Sequence, residues 1–253
     1  MTDLFDLTGK VALVSGVGGI GRALALGIAE QGADVIVADL RLDNLAKTAV
    51  EIRSLGRQTL TLLVDVSQEQ SVGDMVTRTL DVFGRVDILV NAFGITNRKP
   101  ADSFPISEWQ KVMDVNARGT FLCCQAVGRV MIKQRSGKII NISSVRGRYG
   151  LPAGQAAYCP SKGAVDTLTK TLACEWARYN VLVNALAPTV VETDFTRASL
   201  SDAKSAQELK ARIPLGRWAM PEDIVGPALF LASKASDFVT GQIIYVDGGV
   251  TTW

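Results

Sequence analysis

The chain has 253 residues, 47% of them apolar, and its 27 basic and 25 acidic side chains nearly cancel without forming a block of like charge. That is enough apolar material for a sizeable core, and the charge balance implies neither nucleic acid nor an anionic membrane surface, which leaves a small molecule as the expected partner. There is no histidine, so proton chemistry near neutral pH must come from a tuned Tyr, Lys, Cys or carboxylate.

Residues 1–10 are polar and acidic and lack an apolar signal core, and no apolar run is long enough to span a bilayer. The expectation is a cytoplasmic protein. Cys123, Cys124, Cys159 and Cys174 form no C-x-x-C pair and have no histidine co-ligands, so no metal site is expected. Cys159 stands beside Tyr158, but no general base accompanies it and no nucleophilic role is assigned.

The first strand-like run, residues 10–15, leads into Gly16-Val17-Gly18-Gly19-Ile20-Gly21, which opens a helical stretch over 19–31. A G-x-G-x-x-G turn between strand and helix lets backbone N–H groups approach a pyrophosphate at the helix N-terminus; the bland alternative is a tight turn and nothing more. The second run, 34–39, ends at Asp39. Its carboxylate can accept from both ribose hydroxyls of NAD and repels the extra phosphate of NADP. NAD is therefore the expected cofactor, with NADP the alternative because Arg41 could embrace that phosphate.

Helical periodicity over 42–55 precedes a third run at 59–65, and a further helix over 69–83 precedes a fourth at 86–91. Arg98 and Lys99 follow the fourth run; Arg146, Arg148 and Tyr149 follow the fifth, at 138–143. Loops at the carboxyl edge of a sheet that carry Arg98, Arg146 and Arg148 would suit a substrate carboxylate, which a guanidinium can hold by paired hydrogen bonds. Exposed loops are also basic for solubility alone.

Tyr158-Cys159-Pro160-Ser161-Lys162 opens the next helical pattern, which runs to 178. Tyr158 and Lys162 then lie on one face, one turn apart, so the ammonium can stabilise the phenolate. A unit charge at 4 Å and an effective dielectric of 20 contributes about 4 kcal/mol, enough to bring a phenol from about 10 to about 7. Taken alone, such spacing also occurs by chance on solvated helix faces. Pro160 is tolerated in a first turn, which sets Tyr158 near the helix start, at the rim where open α/β sheets bind ligands. A sixth run at 181–187 is followed by a long interval without an obvious strand. Its polar middle, 197–207, reads as a lid with short helices around 189–220, flanked by Phe195 and Trp218; a seventh run at 242–246 completes the series. This alternation is that of βαβ units. The expected fold is α/β: one domain over 1–253, a Rossmann-type doubly wound parallel sheet of about seven strands with helices on both faces.

Taken together, the glycine turn, Asp65-Val66, Asn91-Ala92-Phe93-Gly94, Asp114-Val115-Asn116, Ser143-Ser144, Tyr158 with Lys162, and Pro188 to Thr193 resemble the short-chain dehydrogenase/reductase family over essentially the whole chain. Within it, residues 5–10, 94–100 and 214–218 look most like the gluconate 5-dehydrogenase-like sugar-acid dehydrogenases. The resemblance implies a hydride transfer between a secondary alcohol or ketone and NAD(H). It implies Tyr158 as general acid/base, Lys162 as its partner and a ribose ligand, Ser144 as hydrogen-bond donor to the substrate oxygen, and Asn116 as holder of a water that links Lys162 to solvent. Gly16, Gly18, Ile20, Gly21, Asp39, Asp65, Val66, Asn91, Pro188, Val191 and Thr193, with Tyr158 and Lys162, are the implied cofactor-binding positions, and a homotetramer is the implied assembly.

Three departures stand against that pattern. The glycine turn is one residue short, Phe93 replaces a small residue beside the cofactor, and Thr189 replaces a glycine after Pro188. Two rival readings follow: a reductase of 3-oxoacyl thioesters or other ketones using the same groups, and a nucleotide-binding protein impaired in turnover. Intact Ser144, Tyr158 and Lys162 argue against the second.

Overall fold

A computed structural model describes residues 4–150, 154–201 and 203–252, except for the side chains at 198–200 and 203–205. Seven strands form one fully parallel sheet: β1 (Val11–Ser15), β2 (Asp34–Asp39), β3 (Thr59–Leu63), β4 (Ile88–Asn91), β5 (Gly137–Ile142), β6 (Val181–Pro188) and β7 (Ile243–Val246). Their order is β3-β2-β1-β4-β5-β6-β7. The chain winds outward from β1 in one direction and then from β4 in the other, so a crevice opens beyond the carboxyl ends of β1 and β4.

Strands buried on both faces alternate their side chains between two cores. Ala12 and Val14 of β1 join Val35, Val37, Val90 and Ile140 on one face. Leu13 joins Ile36, Leu89, Ile139 and Val183 on the other. The first face is covered by α1 (Gly19–Glu30), α2 (Leu42–Ser54) and a late helix (Val225–Ala232); the second by α3 (Glu69–Phe83), a middle helix (Gly119–Gln134) and a long helix that begins at Tyr158. In chain order the remaining helices are α4 (Ile106–Met113), α5 (Gly119–Gln134), α6 (Tyr158–Trp176), α7 (Asp194–Leu200), α8 (Ala203–Ala211) and α9 (Val225–Ala232). A π-helical turn, Asp114–Arg118, joins α4 to α5.

The expected runs at 59–65 and 86–91 shorten to β3 and β4, and the helix expected to reach 178 ends at Trp176. α4, α5 and α9 had no counterpart in the periodicity. The residues of α5 from Thr120 to Ile132 are apolar nearly all round, because this helix lies deep in the second core with Cys123, Cys124 and Val127 fully buried. A helix without a polar face has no stripe to read.

Between β6 and β7 the chain makes a long excursion that contains α7 and α8, part of which lies outside the described residues. Its ends are pinned together: Glu192 N–H donates to the Ala219 carbonyl at 2.8 Å and Ala219 N–H to the Val190 carbonyl at 3.0 Å. Among the described residues no helix is long and apolar enough to cross a membrane.

Candidate active site

β5 is followed by Ser143 and Ser144, and the chain then tightens into a 3-10 turn, Val145–Gly147. Arg146 N–H donates to Ser144 Oγ at 3.2 Å, and Ser144 Oγ donates to the Pro188 carbonyl at 3.4 Å. The turn packs directly on α6. A Cβ at Gly147 would lie 2.3 Å from Asp166 Oδ2 and 3.0 Å from the Lys162 carbonyl, so only glycine allows this approach. Asp166 is buried, and its Oδ1 has no partner. Burial raises its carboxyl above the usual range, against the hydrogen bond of Ser143.

This packing sets the Ser144 hydroxyl beside the Tyr158 hydroxyl at the start of α6, near enough to favour its phenolate. Burial pushes the Tyr158 phenol up to about 12, and the Ser144 hydroxyl acts in the opposite direction. Burial also draws the Lys162 ammonium down to about 8. The expected lowering of Tyr158 by Lys162 is not what this geometry gives. Lys162 Nζ lies 5.8 Å from the Tyr158 ring centroid and donates to the Ile142 carbonyl at 2.7 Å. Desolvation outweighs a charge that is spent on a carbonyl.

Asn116 lies in the π-helical turn and is 1% exposed. Its Oδ1 accepts from Ile95 N–H at 2.8 Å, and its Nδ2 donates to the Ile95 carbonyl at 2.9 Å and to Ser161 Oγ at 3.0 Å. With its carboxamide fully engaged, Asn116 ties the loop after β4 to α6, one residue from Lys162. Irregular helix at such a place is common where a side chain must be aimed.

At the other end of the crevice, Gly16 adopts φ +85° and lies against the Phe93 backbone, where a Cβ would meet Phe93 N at 2.6 Å. A Cβ at Gly21 would lie 1.9 Å from the Gly16 carbonyl oxygen. Turn, helix and β4 loop are thus interlocked by two glycines. The N-terminus of α1 has no side-chain cap and no acidic residue in its first turn, which leaves its N–H groups suited to an anion such as a pyrophosphate. A nicotinamide dinucleotide therefore fits the residues present.

A protein-family model described as enoyl-(acyl carrier protein) reductase matches residues 16–251. The 2-dehydro-3-deoxy-D-gluconate 5-dehydrogenase of Dickeya dadantii is 41% identical over 97% of this chain and 96% of its own length. Gluconate 5-dehydrogenase of Gluconobacter oxydans is 40% identical over 98% and 97%. The crystal structure of a gluconate 5-dehydrogenase from Burkholderia cenocepacia, in complex with NADP and tartrate, superposes with a TM-score of 0.95 at 42% identity and covers 99% of this chain and 98% of that one. The chain belongs to the short-chain dehydrogenase/reductase family. It is an NAD(P)-dependent oxidoreductase that acts on CH–OH groups of a small-molecule substrate.

Several positions carried over from this dehydrogenase/reductase family also make contacts within the fold. Asp39 was expected to face the ribose hydroxyls, yet its Oδ2 accepts from Val17 N–H at 2.8 Å and from Asn44 Nδ2 at 3.3 Å, and its Oδ1 from Arg41 N–H at 2.8 Å. It holds the short turn to β2. The Asn91 side chain is turned into the core, where it donates to Asn141 Oδ1 at 2.9 Å, so it does not face a cofactor. Val191 is buried and Ile20 packs on the same core, which leaves only their backbone for a ligand. Asp65 Oδ1 accepts from Ser67 N–H and Oγ, and Val66 is buried. The Phe93 ring is tucked in beside Val66 over Gly119, where a Cβ would lie 3.3 Å from Phe93 Cε2 and 3.1 Å from Val66 Cγ2. Thr193 caps α7 and sets its methyl against Gly19, and Phe195 stands over Tyr158 with ring centroids 6.4 Å apart.

The basic cluster also divides. Arg148 is exposed and lies over the Tyr245 ring at 5.5 Å, and Arg98 is exposed on its loop; neither lines a cavity with Arg146. Arg146 instead shares a small cavity with Arg212, Tyr149 and Thr189. Thr189, which replaces the family's glycine after Pro188, is part of that wall. Sequence reasoning missed Arg212 because nothing in Arg212-Ile213-Pro214 marks which way the chain returns from the excursion.

Proposed function

We propose that the protein interconverts a polyhydroxylated acid and its keto form, with Tyr158 as general acid/base and Ser144 as hydrogen-bond donor to the same substrate oxygen. The nearness of the Ser144 and Tyr158 hydroxyls carries this reading, since it marks one point where two hydroxyls converge. In oxidation Tyr158 takes the hydroxyl proton; in reduction it returns one to the carbonyl oxygen. A bound nicotinamide dinucleotide supplies the hydride acceptor or donor. Lys162 holds positive charge beside the site, and Asn116 acts as a positioning residue through Ser161 and the loop at Ile95.

The sugar-acid class is supported by the names of the two dehydrogenase relatives. NAD is our reading of the cofactor, supported by the carboxylate of Asp39 at the end of β2, although the Burkholderia relative was crystallised with NADP. We take Gly16, Gly18, Gly21 and the backbone of Ile20 and Val191 as the dinucleotide's cradle, with Asp65, Val66, Pro188 and Thr193 along its path. Residues 189–220 act as a lid, supported by Phe195 over Tyr158. A cytoplasmic homotetramer is the setting that the family resemblance implies.

The test is an absorbance screen of dinucleotide reduction and oxidation over gluconate-type acids, neutral polyols and 3-oxoacyl thioesters, with NAD and NADP. Turnover of acids that is lost in Tyr158→Phe is expected. Turnover confined to thioesters would favour the rival reading as a 3-oxoacyl thioester reductase, and no turnover of any kind would overturn the reading.

A further inference from the structure

The cavity beside the Ser144 turn has a volume of about 70 Å³. Two arginines line it from different parts of the fold: Arg146 in the turn after β5, and Arg212 just after α8 in the excursion. Tyr149, Thr189, Leu209 and Ile213 contribute to the wall, and no carboxylate does. Arg146 is already oriented. Its guanidinium carbon lies 5.0 Å over the Tyr149 ring, and its Nη1 is buried without a hydrogen-bond partner. Neither arginine has an ion pair among the described residues.

Two like charges that line one small cavity repel, and a buried guanidinium N–H without an acceptor costs free energy. An anion in the cavity removes both penalties. The planar forks match a carboxylate, which can accept from two guanidinium groups at once, and the volume suits one end of a substrate rather than all of it. Arg146 is also two residues from Ser144, so the acid group and the reacting oxygen are held by the same turn. The charge of Arg146 already acts on Tyr158.

We infer that Arg146 and Arg212 form a two-sided clamp for the carboxylate of a hydroxy acid, with the body of the domain supplying one arm and the excursion the other. This rests on the proposed acid dehydrogenase and names where that acid is read. Because one arm follows α8, engagement of the carboxylate ties the excursion to the Ser144 turn. A neutral polyol engages neither arm and leaves the excursion unanchored.

Calorimetric titration of the full-length protein with gluconate, in the presence of the dinucleotide, tests the clamp directly. Arg212→Gln and Arg146→Gln are each expected to weaken gluconate binding about 10- to 100-fold, the range for loss of a charge-assisted contact, with Arg212→Lys recovering part of it. In turnover, the ratio of kcat/KM for gluconate over a neutral polyol should fall by a similar factor in both Gln variants, mainly through KM. An unchanged ratio together with unchanged gluconate affinity would overturn the clamp. So would tighter selection of phosphorylated sugars than of carboxylates by the native protein, which would make the cavity a phosphate site. If the native protein binds gluconate through both arginines yet oxidises nothing, the clamp stands and the assigned activity falls.

Discussion

Replacing Asp39 with Ala tests whether this carboxylate builds the nucleotide turn as well as selecting the nucleotide. The substitution removes three acceptor contacts: Val17 N–H at 2.8 Å, Arg41 N–H at 2.8 Å and the Asn44 amide at 3.3 Å. Val17 is fully buried, so its N–H loses an acceptor where water reaches poorly, at a cost of about 1–3 kcal/mol. Arg41 is exposed and water replaces most of its bond. The sum is about 2–3 kcal/mol, and at about 2–4 °C per kcal/mol for a chain of this size the melting midpoint should fall by about 5–10 °C. Asp39→Asn keeps one acceptor oxygen and should lose about half as much. Thermal unfolding without added nucleotide is the assay, because it separates the turn's own stability from lost ligand binding. A midpoint within about 1 °C of the native protein in Asp39→Ala would refute the reasoning. The same variant removes the charge that opposes a ribose phosphate, so the kcat/KM ratio for NADP over NAD should rise.

Ser144→Ala removes the hydroxyl that opposes the upward push on Tyr158. Oxidation needs the phenolate, so the oxidative pH–rate profile should move to higher pH and the rate near neutrality should fall about 10²- to 10³-fold. Gly147→Ala places a methyl 2.3 Å from Asp166 Oδ2; turnover should fall sharply as the Ser144 turn is driven off α6, and Gly147→Ala combined with Asp166→Ala should recover part of it. Lys162 titrates near 8 when folded, against its ordinary 10.5. The unfolded chain therefore binds more protons between pH 8 and 10.5, and stability rises with pH across that window. Lys162→Met should abolish this rise in urea unfolding curves while it removes turnover.

The strands were legible because a parallel sheet covered on both faces forces unbroken apolar runs, and 10–15 or 138–143 admit no other reading as short and as rich in β-branched residues. The interlocked turn was legible in part: Gly16 and Gly21 are needed because backbone atoms approach within contact distance, which the glycine spacing signals. What the spacing cannot signal is where a polar side chain spends its hydrogen bonds. Asp39 and Asn91 have the residue types of ligand contacts, yet both are occupied by partners far along the chain, Val17 and Asn141. Tyr158 and Lys162 were found by their helical spacing, but the balance between burial and charge depends on the distance from Lys162 Nζ to the Ile142 carbonyl, which no pattern encodes. Arg212 was invisible for a similar reason, since its place beside Arg146 is set by the return path of the excursion.

That excursion is pinned at its base, where residues 190–192 pair with Ala219, and again where Leu215 N–H donates to the Gly248 carbonyl at 3.1 Å. The register of β6 on β7 is therefore independent of what lies between these anchors. Closing a longer or shorter loop across the same anchors costs little, about 0.6 kcal/mol for each doubling of length. Residues 196–212 thus form a cassette that evolution or a protein engineer can exchange without refolding the sheet. The proposed proton transfer stays with the turn after β5 and with α6, so substrate range and chemical step can diversify on separate schedules.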